Sequence, residues 1–159
     1  MGNNEIILDL DGTLSNESIG DVIDNNNLGP EEYDRMIPHI LKFTPKRGVT
    51  LLKEAGINPI IITGRQEGLR EATEAWLKKY DILYKKLVMV PNGYYGGVFD
   101  WNKYVEYKIK AHKKFNVEFS IDDHESLVTI LREYGVPAFH VRDNFAKAFV
   151  NAWLETHTI

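Results

Sequence analysis

Short apolar runs alternate along the chain with longer stretches in which hydrophobic residues recur every three or four positions. The short runs are typical of buried β-strands, and the longer stretches are typical of helices that cover a sheet. Their alternation predicts an α/β fold with a parallel five-stranded sheet and helices on both faces. The strands are expected near residues 5–10, 58–63, 86–90, 117–122 and 137–141.

Helices are expected where the hydrophobic period lengthens between two strands. Gly48, Gly56 and Gly135 lie near the ends of these stretches, where glycine commonly begins or ends a helix. No internal repeat or linker divides the pattern, so residues 1–159 are expected to form one domain. The predicted helices span residues 45–55, 66–80, 102–115 and 125–134, and a final helix is expected at 144–154.

Two stretches depart from this alternation. Residues 15–44 are polar at first and then show a short helical pattern over 31–43, which Pro38 is expected to break. Because this insertion follows the first strand, we expect it to form a small cap over the strand's end; a disordered surface loop is the alternative. Residues 91–100 are rich in glycine and aromatic residues and predict either a substrate rim or a wide turn.

The composition is that of an ordinary globular protein, since 43% of the 159 residues are hydrophobic and 26% are charged. The apolar runs are too short to span a membrane, and residues 1–5 lack the features of a signal peptide. We therefore expect a soluble cytoplasmic protein without a membrane partner. The chain has no cysteine, which excludes disulfides, thiolate metal sites and a cysteine nucleophile and favours a cation that binds oxygen.

The charge of the chain gives little indication of a binding partner. A formal net charge of -4 argues against broad binding to a nucleic-acid backbone, because such binding requires a positive face. Several lysines lie between residues 103 and 114, but helical geometry spreads them around the circumference. They predict a solvated helix face.

The candidate chemistry begins at two acids where the first strand ends. Side chains alternate along an extended strand, so Asp9 and Asp11 are expected to project together, and Gly12 lets the backbone turn beyond them. Two adjacent carboxylates repel each other, which favours a metal or phosphate site, although the same residues suit an ordinary turn. A calcium loop is disfavoured, because Leu14 and Gly20 stand where such a loop requires glycine and glutamate.

Two further strand ends carry polar residues that suit the same chemistry. Thr63-Gly64-Arg65 offers a hydroxyl donor, a close backbone approach and a cation for a phosphate, although Thr-Gly also begins helices. Asp122 and Asp123 form either a second acid pair or a helix cap. Because the carboxyl ends of parallel strands meet at one edge of a sheet, these residues are expected to gather beside the first acid pair.

A lysine is expected to offset the negative charge of these acids. Each residue further into a helix lies about 1.5 Å deeper, so Lys103 lies nearest the strand ends, while Lys108 and Lys110 lie roughly 7 to 10 Å further in. Lys103 is therefore the predicted site lysine, and Lys108 is the alternative. An exposed surface lysine remains the other interpretation of Lys103.

These residues resemble, in the same order, the four motifs of the haloacid dehalogenase-like phosphohydrolase superfamily. The matching motifs are Asp9 to Leu14, Thr63 to Arg65, Lys103, and Asp122-Asp123. More narrowly, residues 103–141 are similar to the 3′-phosphatase domain of polynucleotide kinases. The resemblance spans nearly the whole chain. It implies a three-layer Rossmann-like fold in which 15–44 is a small cap insertion after the first strand.

The resemblance also implies a phosphatase mechanism with Mg2+ as cofactor. Asp9 is the implied nucleophile and Asp11 the implied acid and base. Mg2+ is held by Asp9, the backbone carbonyl of Asp11, and Asp122 or Asp123. The implied ligands of the phosphate are Thr63, Lys103 and backbone N–H groups after Asp9 such as that of Leu10. The implied contacts to phosphate or substrate are Gly64, Arg65 and His124, with helix packing as the alternative for His124.

The leading hypothesis is a Mg2+-dependent phosphatase that hydrolyses a phosphomonoester through an aspartyl-phosphate. Its substrate is expected to be a nucleotide, a nucleic-acid 3′-phosphate or a small metabolite. The acids do not distinguish among these, because substrate choice depends on the cap and on residues 91–100. The alternative is a non-catalytic phosphate-binding or phospho-acceptor module on the same fold. Asp11 argues against that alternative, because a general acid serves phosphate release. No obligatory protein partner is expected.

Overall fold

A single parallel sheet forms the centre of the fold. The computed structural model describes residues 4–22, 29 and 32–141. Five strands lie in the order β3-β2-β1-β4-β5, and every pairing is parallel, which confirms the predicted α/β class. The strands are β1 (Glu5–Leu8), β2 (Ile60–Gln66), β3 (Lys86–Val90), β4 (Val117–Asp122) and β5 (Ala138–His140).

Five α-helices lie in the described part of the chain. Helices α2 to α5 occupy the four helical stretches predicted between residues 45 and 134, whereas the helix predicted at 144–154 lies outside the described residues. None of the helices in the described ranges is long and apolar enough to cross a membrane. The helices are α1 (Tyr33–Ile40), α2 (Gly48–Ala55), α3 (Arg70–Lys79), α4 (Trp101–His112) and α5 (Glu125–Glu133).

The hydrophobic core lies on both faces of the sheet, because successive residues of β1 point to opposite sides. Ile7 packs with Ile60 and Ile62 against Ala111 of α4. Leu8 belongs to a larger cluster with side chains from the other helices. Its members from α1, α2 and α3 include Met36, Leu52 and Trp76. The sheet is therefore covered on both faces, as the alternation of strands and helices predicted.

The register of the three central strands aligns the ends of β1 and β4 with the middle of β2. Leu8 of β1 pairs with Ile61 of β2 and with Ile121 of β4. One residue further on, the N–H of Asp9 donates to the carbonyl of Ile121 at 3.1 Å. The residues that follow these pairs therefore meet at one edge of the sheet.

Strand β2 is longer than the sequence predicted. Its pairing with β3 continues beyond Ile62 to a pair between Gln66 and Val90, with an irregular register in between. Thr63-Gly64-Arg65 consequently lies within the strand rather than after it. Hydrogen bonding to a neighbouring strand produced this extension, and periodicity within one segment does not reveal such pairing.

Residues 15–22 and 32–44 of the insertion contact the rest of the described chain at several places. An antiparallel bridge joins Ser15 to Pro45, and the Glu17 carboxylate accepts hydrogen bonds from the N–H and hydroxyl of Thr44. A short 3-10 helix spans Ile19–Asp21. Helix α1 follows and buries one side against the core. The described parts of the insertion are thus ordered pieces of the domain.

Pro38 lies inside α1 and does not break it, which corrects the expectation from the sequence. Proline lacks an N–H, so the carbonyl four residues earlier, that of Asp34, loses its helical partner. Asp34 and Pro38 are both exposed. Water can therefore hydrate the freed carbonyl, and the short helix tolerates the proline on its outer side.

Helix α1 is fastened to the end of β2 through Tyr33. The Tyr33 hydroxyl lies 2.9 Å from Gln66 Oε1 and 3.0 Å from Asn92 Oδ1, while the N–H of Gly68 donates to the same Asn92 oxygen at 2.8 Å. The ring of Tyr33 rests directly on Gly68, and a Cβ atom built there would collide with it. Glycine is therefore required at position 68 for α1 to dock.

We predict that Gly68→Ala lowers the free energy of unfolding by about 1–3 kcal/mol, because the added methyl group displaces the Tyr33 ring. In a Tyr33→Ala background the same change should be neutral or slightly stabilising, since alanine restricts the unfolded chain more than glycine does. Urea denaturation of the four proteins in this double-mutant cycle measures the coupling. An equal cost of Gly68→Ala in both backgrounds would contradict the proposed contact.

Candidate active site

Three carboxylates meet where β1 and β4 end. Asp9 follows β1, Asp122 is the last residue of β4, and Asp123 follows it. One carboxylate oxygen from each lies within 4.8 Å of the others. Asp9 and Asp122 are buried, being 5% and 1% exposed, and Asp123 is half-buried. The level register of β1 and β4 thus brings together acids that are more than a hundred residues apart in the chain.

The ammonium of Lys108 lies between two of these acids. Its Nζ donates to Asp9 Oδ1 at 2.8 Å, to Asp122 Oδ2 at 3.2 Å and to the carbonyl of Ile62 at 2.9 Å, and the residue is completely buried. Burial alone lowers the pKa of a lysine, but the facing charges of Asp122 and Asp9 outweigh it and raise the pKa of Lys108 well above its usual value. The amine therefore stays charged.

Lys103, the lysine expected at this place, lies elsewhere. It is exposed, and its backbone N–H donates to Asp100 Oδ1 at the start of α4. Because Lys108 already reaches Asp9, Asp122 and the carbonyl of Ile62, residue 103 lies about 7 Å further along the helix axis, away from the acids. Lys103 was expected at the acids because the first turn of α4 was taken to lie level with the strand ends. Side chains in a helix lean toward its N-terminus, so a lysine deeper in the helix reaches the acids instead.

The sequence did contain a signal for Lys108. Tyr104, Lys108 and Ala111 are spaced four and three residues apart, so they form one stripe of α4, and all three are buried. Lys103 and Lys110 lie outside that stripe and are exposed. A lysine within the apolar stripe of a helix needs a buried acidic partner, which makes it the better candidate.

Burial and mutual repulsion set the protonation of the acids. Burial first, and then the charge of Asp122, raise the pKa of Asp9 well above its usual value. Burial likewise raises the pKa of Asp123 to about 6. Burial also acts on Asp122, but Lys108 and the N–H of His124 outweigh it, so the pKa of Asp122 lies below its usual value. Without a further cation besides the Lys108 ammonium, keeping all three carboxylates ionised is energetically costly.

The cluster has the chemistry of a site for a hard divalent cation. Its donors are carboxylate oxygens, which Mg2+ prefers. Three carboxylates facing one ammonium leave an excess of two negative charges when all are ionised. Oδ1 of Asp123 is also buried without a hydrogen-bond partner, which is costly unless a ligand satisfies it. The residues of the cluster therefore fit Mg2+.

Asp11 is held by Arg65 rather than by the other acids. Nε and Nη2 of Arg65 donate to the two oxygens of Asp11 at 3.0 and 2.8 Å, and Nη1 donates to Thr73 Oγ1 at 3.0 Å. The N–H of Ile19 donates a third hydrogen bond to Asp11, to its Oδ1 at 3.2 Å. Strand β1 ends at Leu8 and Asp11 lies in the turn that follows, so the alternation of side chains along a strand does not orient Asp11. Asp9 and Asp11 nevertheless line the same cavity.

The remaining predicted residues lie around this cluster. Thr63 is buried, and its Oγ1 accepts the N–H of Arg65 at 3.2 Å. The carbonyl of Gly64 accepts the hydroxyl of Tyr95 at 3.0 Å. The side chain of Leu10 is buried in the core, which leaves only its backbone for a ligand. His124 is exposed at the start of α5, and its N–H donates to Asp122 Oδ1 at 3.0 Å.

A cavity of about 230 Å³ opens between the acids and the insertion. Asp9, Asp11 and Asp123 lie in its wall. The insertion contributes residues to the wall, and the 91–100 stretch contributes aromatic rings, which favours a substrate rim over a plain turn. These lining residues are Ser18, Ile19, Gly20 and Met36 from the insertion, and Tyr95 and Phe99 from the stretch.

Sequence reasoning found only part of the aromatic lining of this cavity. The 91–100 stretch that contains Tyr95 was expected as a possible substrate rim, whereas Trp101 and Tyr104 of α4 were not placed at the site, yet all three line the cavity. The spacing of Trp101, Tyr104 and Lys108 along α4 would have connected them, since residues three and four apart share a helix face.

Comparison with known proteins agrees with this architecture. The family model described as the polynucleotide kinase PNKP phosphatase domain matches residues 3–145. Two solved structures of a Pnkp1/Rnl/Hen1 complex, one described as an RNA repair complex, each contain a similar chain. These chains are 28% identical over 87% of this chain, with TM-scores of 0.62 and 0.60. The match covers 42% and 45% of them, so this chain spans less than half of their length.

A third similarity concerns the fold alone. A hydrolase from Streptococcus pneumoniae TIGR4 is 14% identical over the full length of both chains, with a TM-score of 0.52. No curated protein matches the sequence. The family match confirms the superfamily and the enzyme class that the motifs implied. The chain belongs to the polynucleotide kinase PNKP phosphatase domain family and is a phosphatase of the haloacid dehalogenase-like type.

Proposed function

We propose that the domain removes a terminal phosphate from a nucleic-acid 3′ end, with Mg2+ as cofactor and with Asp9 as the group that carries the phosphate. The observation that carries the proposal is the buried cluster of Asp9, Lys108, Asp122 and Asp123 at the sheet edge. The nucleic-acid substrate is supported by the family and by the similar Pnkp1 chains, which occur in an RNA repair complex.

In the first step a carboxylate oxygen of Asp9 forms a bond to phosphorus while the bond from phosphorus to the leaving oxygen breaks. Asp11 gives a proton to that leaving oxygen. In the second step Asp11 takes a proton from water, the resulting oxygen bonds to phosphorus, and the bond to Asp9 breaks. Inorganic phosphate leaves, and both aspartates return to their initial states.

The surroundings of these acids suit the two steps. The Lys108 ammonium, 2.8 Å from Asp9, favours the ionised nucleophile and offers positive charge to the phosphoryl oxygens. Thr63 and the backbone N–H of Leu10 are proposed as further phosphate donors. Lys108 thus takes the role that the sequence assigned to Lys103.

Mg2+ is proposed to be held by Asp9, Asp122, Asp123 and the backbone carbonyl of Asp11. When bound, it neutralises charge on the phosphoryl group and so lowers the barrier to attack. The unpartnered oxygen of Asp123 supports its inclusion among the ligands.

Arg65 is proposed to position Asp11 rather than to bind phosphate. Its guanidinium grips both oxygens of Asp11 and is itself anchored on Thr73. A two-point contact of this kind fixes the plane of a carboxylate, which a lysine cannot do.

Asp9→Asn is expected to reduce phosphate release from a 3′-phosphorylated oligonucleotide by roughly 10³-fold or more, because the amide is a poor nucleophile. Circular dichroism should be unchanged, since an amide oxygen still accepts from Lys108. Asp34→Asn, at an exposed acid on α1, is the matched control and should keep full activity. Turnover by Asp9→Asn at the normal rate would remove Asp9 as the nucleophile.

The same assay separates catalysis from phosphate storage. Wild-type protein incubated with excess substrate should release many phosphates per molecule. A protein that instead retains one phosphate on Asp9 and stops would be a phospho-acceptor module. Acid quenching followed by intact-protein mass spectrometry distinguishes the two outcomes.

Arg65→Lys is expected to lower kcat by about 10- to 100-fold with little change in KM, because a misplaced proton donor slows chemistry more than binding. Arg70→Lys is the matched control, since Arg70 pairs with exposed Glu67 and half-buried Glu74, and none of the three lines the cavity. A rise in KM with unchanged kcat would instead indicate that Arg65 binds substrate.

Mg2+ binding should weaken in acid, because Mg2+ and a proton compete for Asp123, whose pKa is raised to about 6 in the ion-free site. The apparent Kd should rise roughly tenfold or more per pH unit below pH 6, because a proton on Asp9, whose pKa is also raised, competes with Mg2+ as well. Calorimetric titration with Mg2+ from pH 5 to 8 measures this. Asp123→Asn should bind more weakly and should depend less steeply on pH below 6; an unchanged pH dependence in that variant would exclude Asp123 as a source.

A further inference from the structure

Three aromatic rings form one wall of the catalytic cavity. Trp101 and Tyr104 lie one turn apart on α4, with ring centres 5.5 Å apart and planes tilted by 34°. The His124 ring stands across both, with centres 5.6 Å from Trp101 and 5.9 Å from Tyr104. Trp101 is 36% exposed, so part of its surface is free to contact a ligand. We call Trp101, Tyr104 and His124 the aromatic wall.

The aromatic wall is tied to the acid cluster. The Tyr104 ring rests on Gly64, where a Cβ atom would lie 2.5 Å from Tyr104 Cε2, and the Lys108 ammonium lies 5.5 Å from the centre of the same ring. On the other side, the N–H of His124 donates to Asp122. A phosphate at the acids and a flat group on the wall would therefore be held at a fixed separation.

The charges around the cavity indicate what kind of group the wall accepts. Among its described lining residues, the charged side chains besides histidine are Asp9, Asp11, Asp123 and Arg65. Arg65 is the one arginine or lysine among these described lining residues, and its guanidinium is already bound to Asp11 and Thr73. It is therefore not available to bind a second phosphate. The described lining therefore favours an uncharged, flat group beside the reacting phosphate, because it offers aromatic surface and no available cation.

We infer, on the basis of the proposed function, that the aromatic wall stacks the base of the nucleotide that carries the reacting phosphate, with Trp101 as the principal contact. Stacking between a base and an aromatic side chain contributes about 1–3 kcal/mol and tolerates different bases. Trp101 is thus a residue that determines substrate class: it favours a phosphate on a nucleotide over a phosphate on a sugar without a base.

Binding measurements test this inference without requiring turnover. The Asp9→Asn protein is titrated, with Mg2+ present, into two fluorescently labelled oligonucleotides that end in a 3′-phosphate. One has a normal terminal nucleotide, and in the other that nucleotide is abasic. The normal end is expected to bind roughly 5- to 150-fold more tightly, as stacking of one base predicts. Equal affinities would overturn the inference.

Variants of the wall locate the effect. In the Asp9→Asn protein, the additional substitution Trp101→Ala should remove most of the difference in affinity between the two oligonucleotides, while Trp101→Phe should keep most of it. Tyr134→Ala is the matched control, because Tyr134 is 52% exposed outside the cavity lining, and it should leave the difference intact. A difference that persists in full in Trp101→Ala would exclude Trp101 as the stacking residue.

The proposed function can fail separately from this inference. Wild-type protein that releases no phosphate from either oligonucleotide would contradict the proposed 3′-phosphatase activity. The binding ratio in the Asp9→Asn background would still report whether the aromatic wall selects a base. Conversely, equal binding with normal turnover would contradict only the stacking inference.

Discussion

The buried ammonium of Lys108 is the constraint on which the sheet edge depends. A charged amine is costly to remove from water, and it is tolerated inside a protein only where opposite charges and hydrogen-bond acceptors surround it. Lys108 finds Asp9 after β1, Asp122 at the end of β4 and the carbonyl of Ile62 in β2. The ends of β1 and β4 and the carbonyl of Ile62 within β2 must therefore lie level with one another, opposite α4, before this one side chain can be buried.

The same constraint determines how closely α4 approaches β2. Tyr104 lies one turn before Lys108, and its ring rests on Gly64 at a distance that leaves no space for a side chain. The ring also covers the ammonium of Lys108, whose Nζ lies 5.5 Å from the centre of the Tyr104 ring. Glycine at position 64 thus has a packing reason that is independent of any contact with a phosphate. A residue with a Cβ there would push α4 outward and lengthen the bonds from Lys108 to the acids.

The parts of the structure that follow from local patterns could be predicted, and the parts that depend on distant pairing could not. The strands of the sheet are visible as apolar runs that stop at polar residues, although β1 ends earlier and β2 ends later than predicted. Lys108 was ranked below Lys103 because depth along a helix was considered without the helix face. Asp11 was expected beside Asp9, but strand alternation ends at Leu8, and the partner that orients Asp11 is Arg65, on another strand. Local sequence carries no record of that pairing.

Asp11 links the insertion to the proposed chemistry. Its carboxylate receives hydrogen bonds from Arg65, which belongs to β2, and from the N–H of Ile19, which belongs to the insertion. Ile19 and Met36 of the insertion also line the cavity beside the acids, which is proposed to receive the substrate. The insertion therefore contributes both to the space available for the substrate and to the orientation of the proposed proton donor. A change that moved the insertion and enlarged this cavity would also move a hydrogen bond to Asp11, so the size of the cavity and the orientation of the proposed proton donor are linked through Ile19.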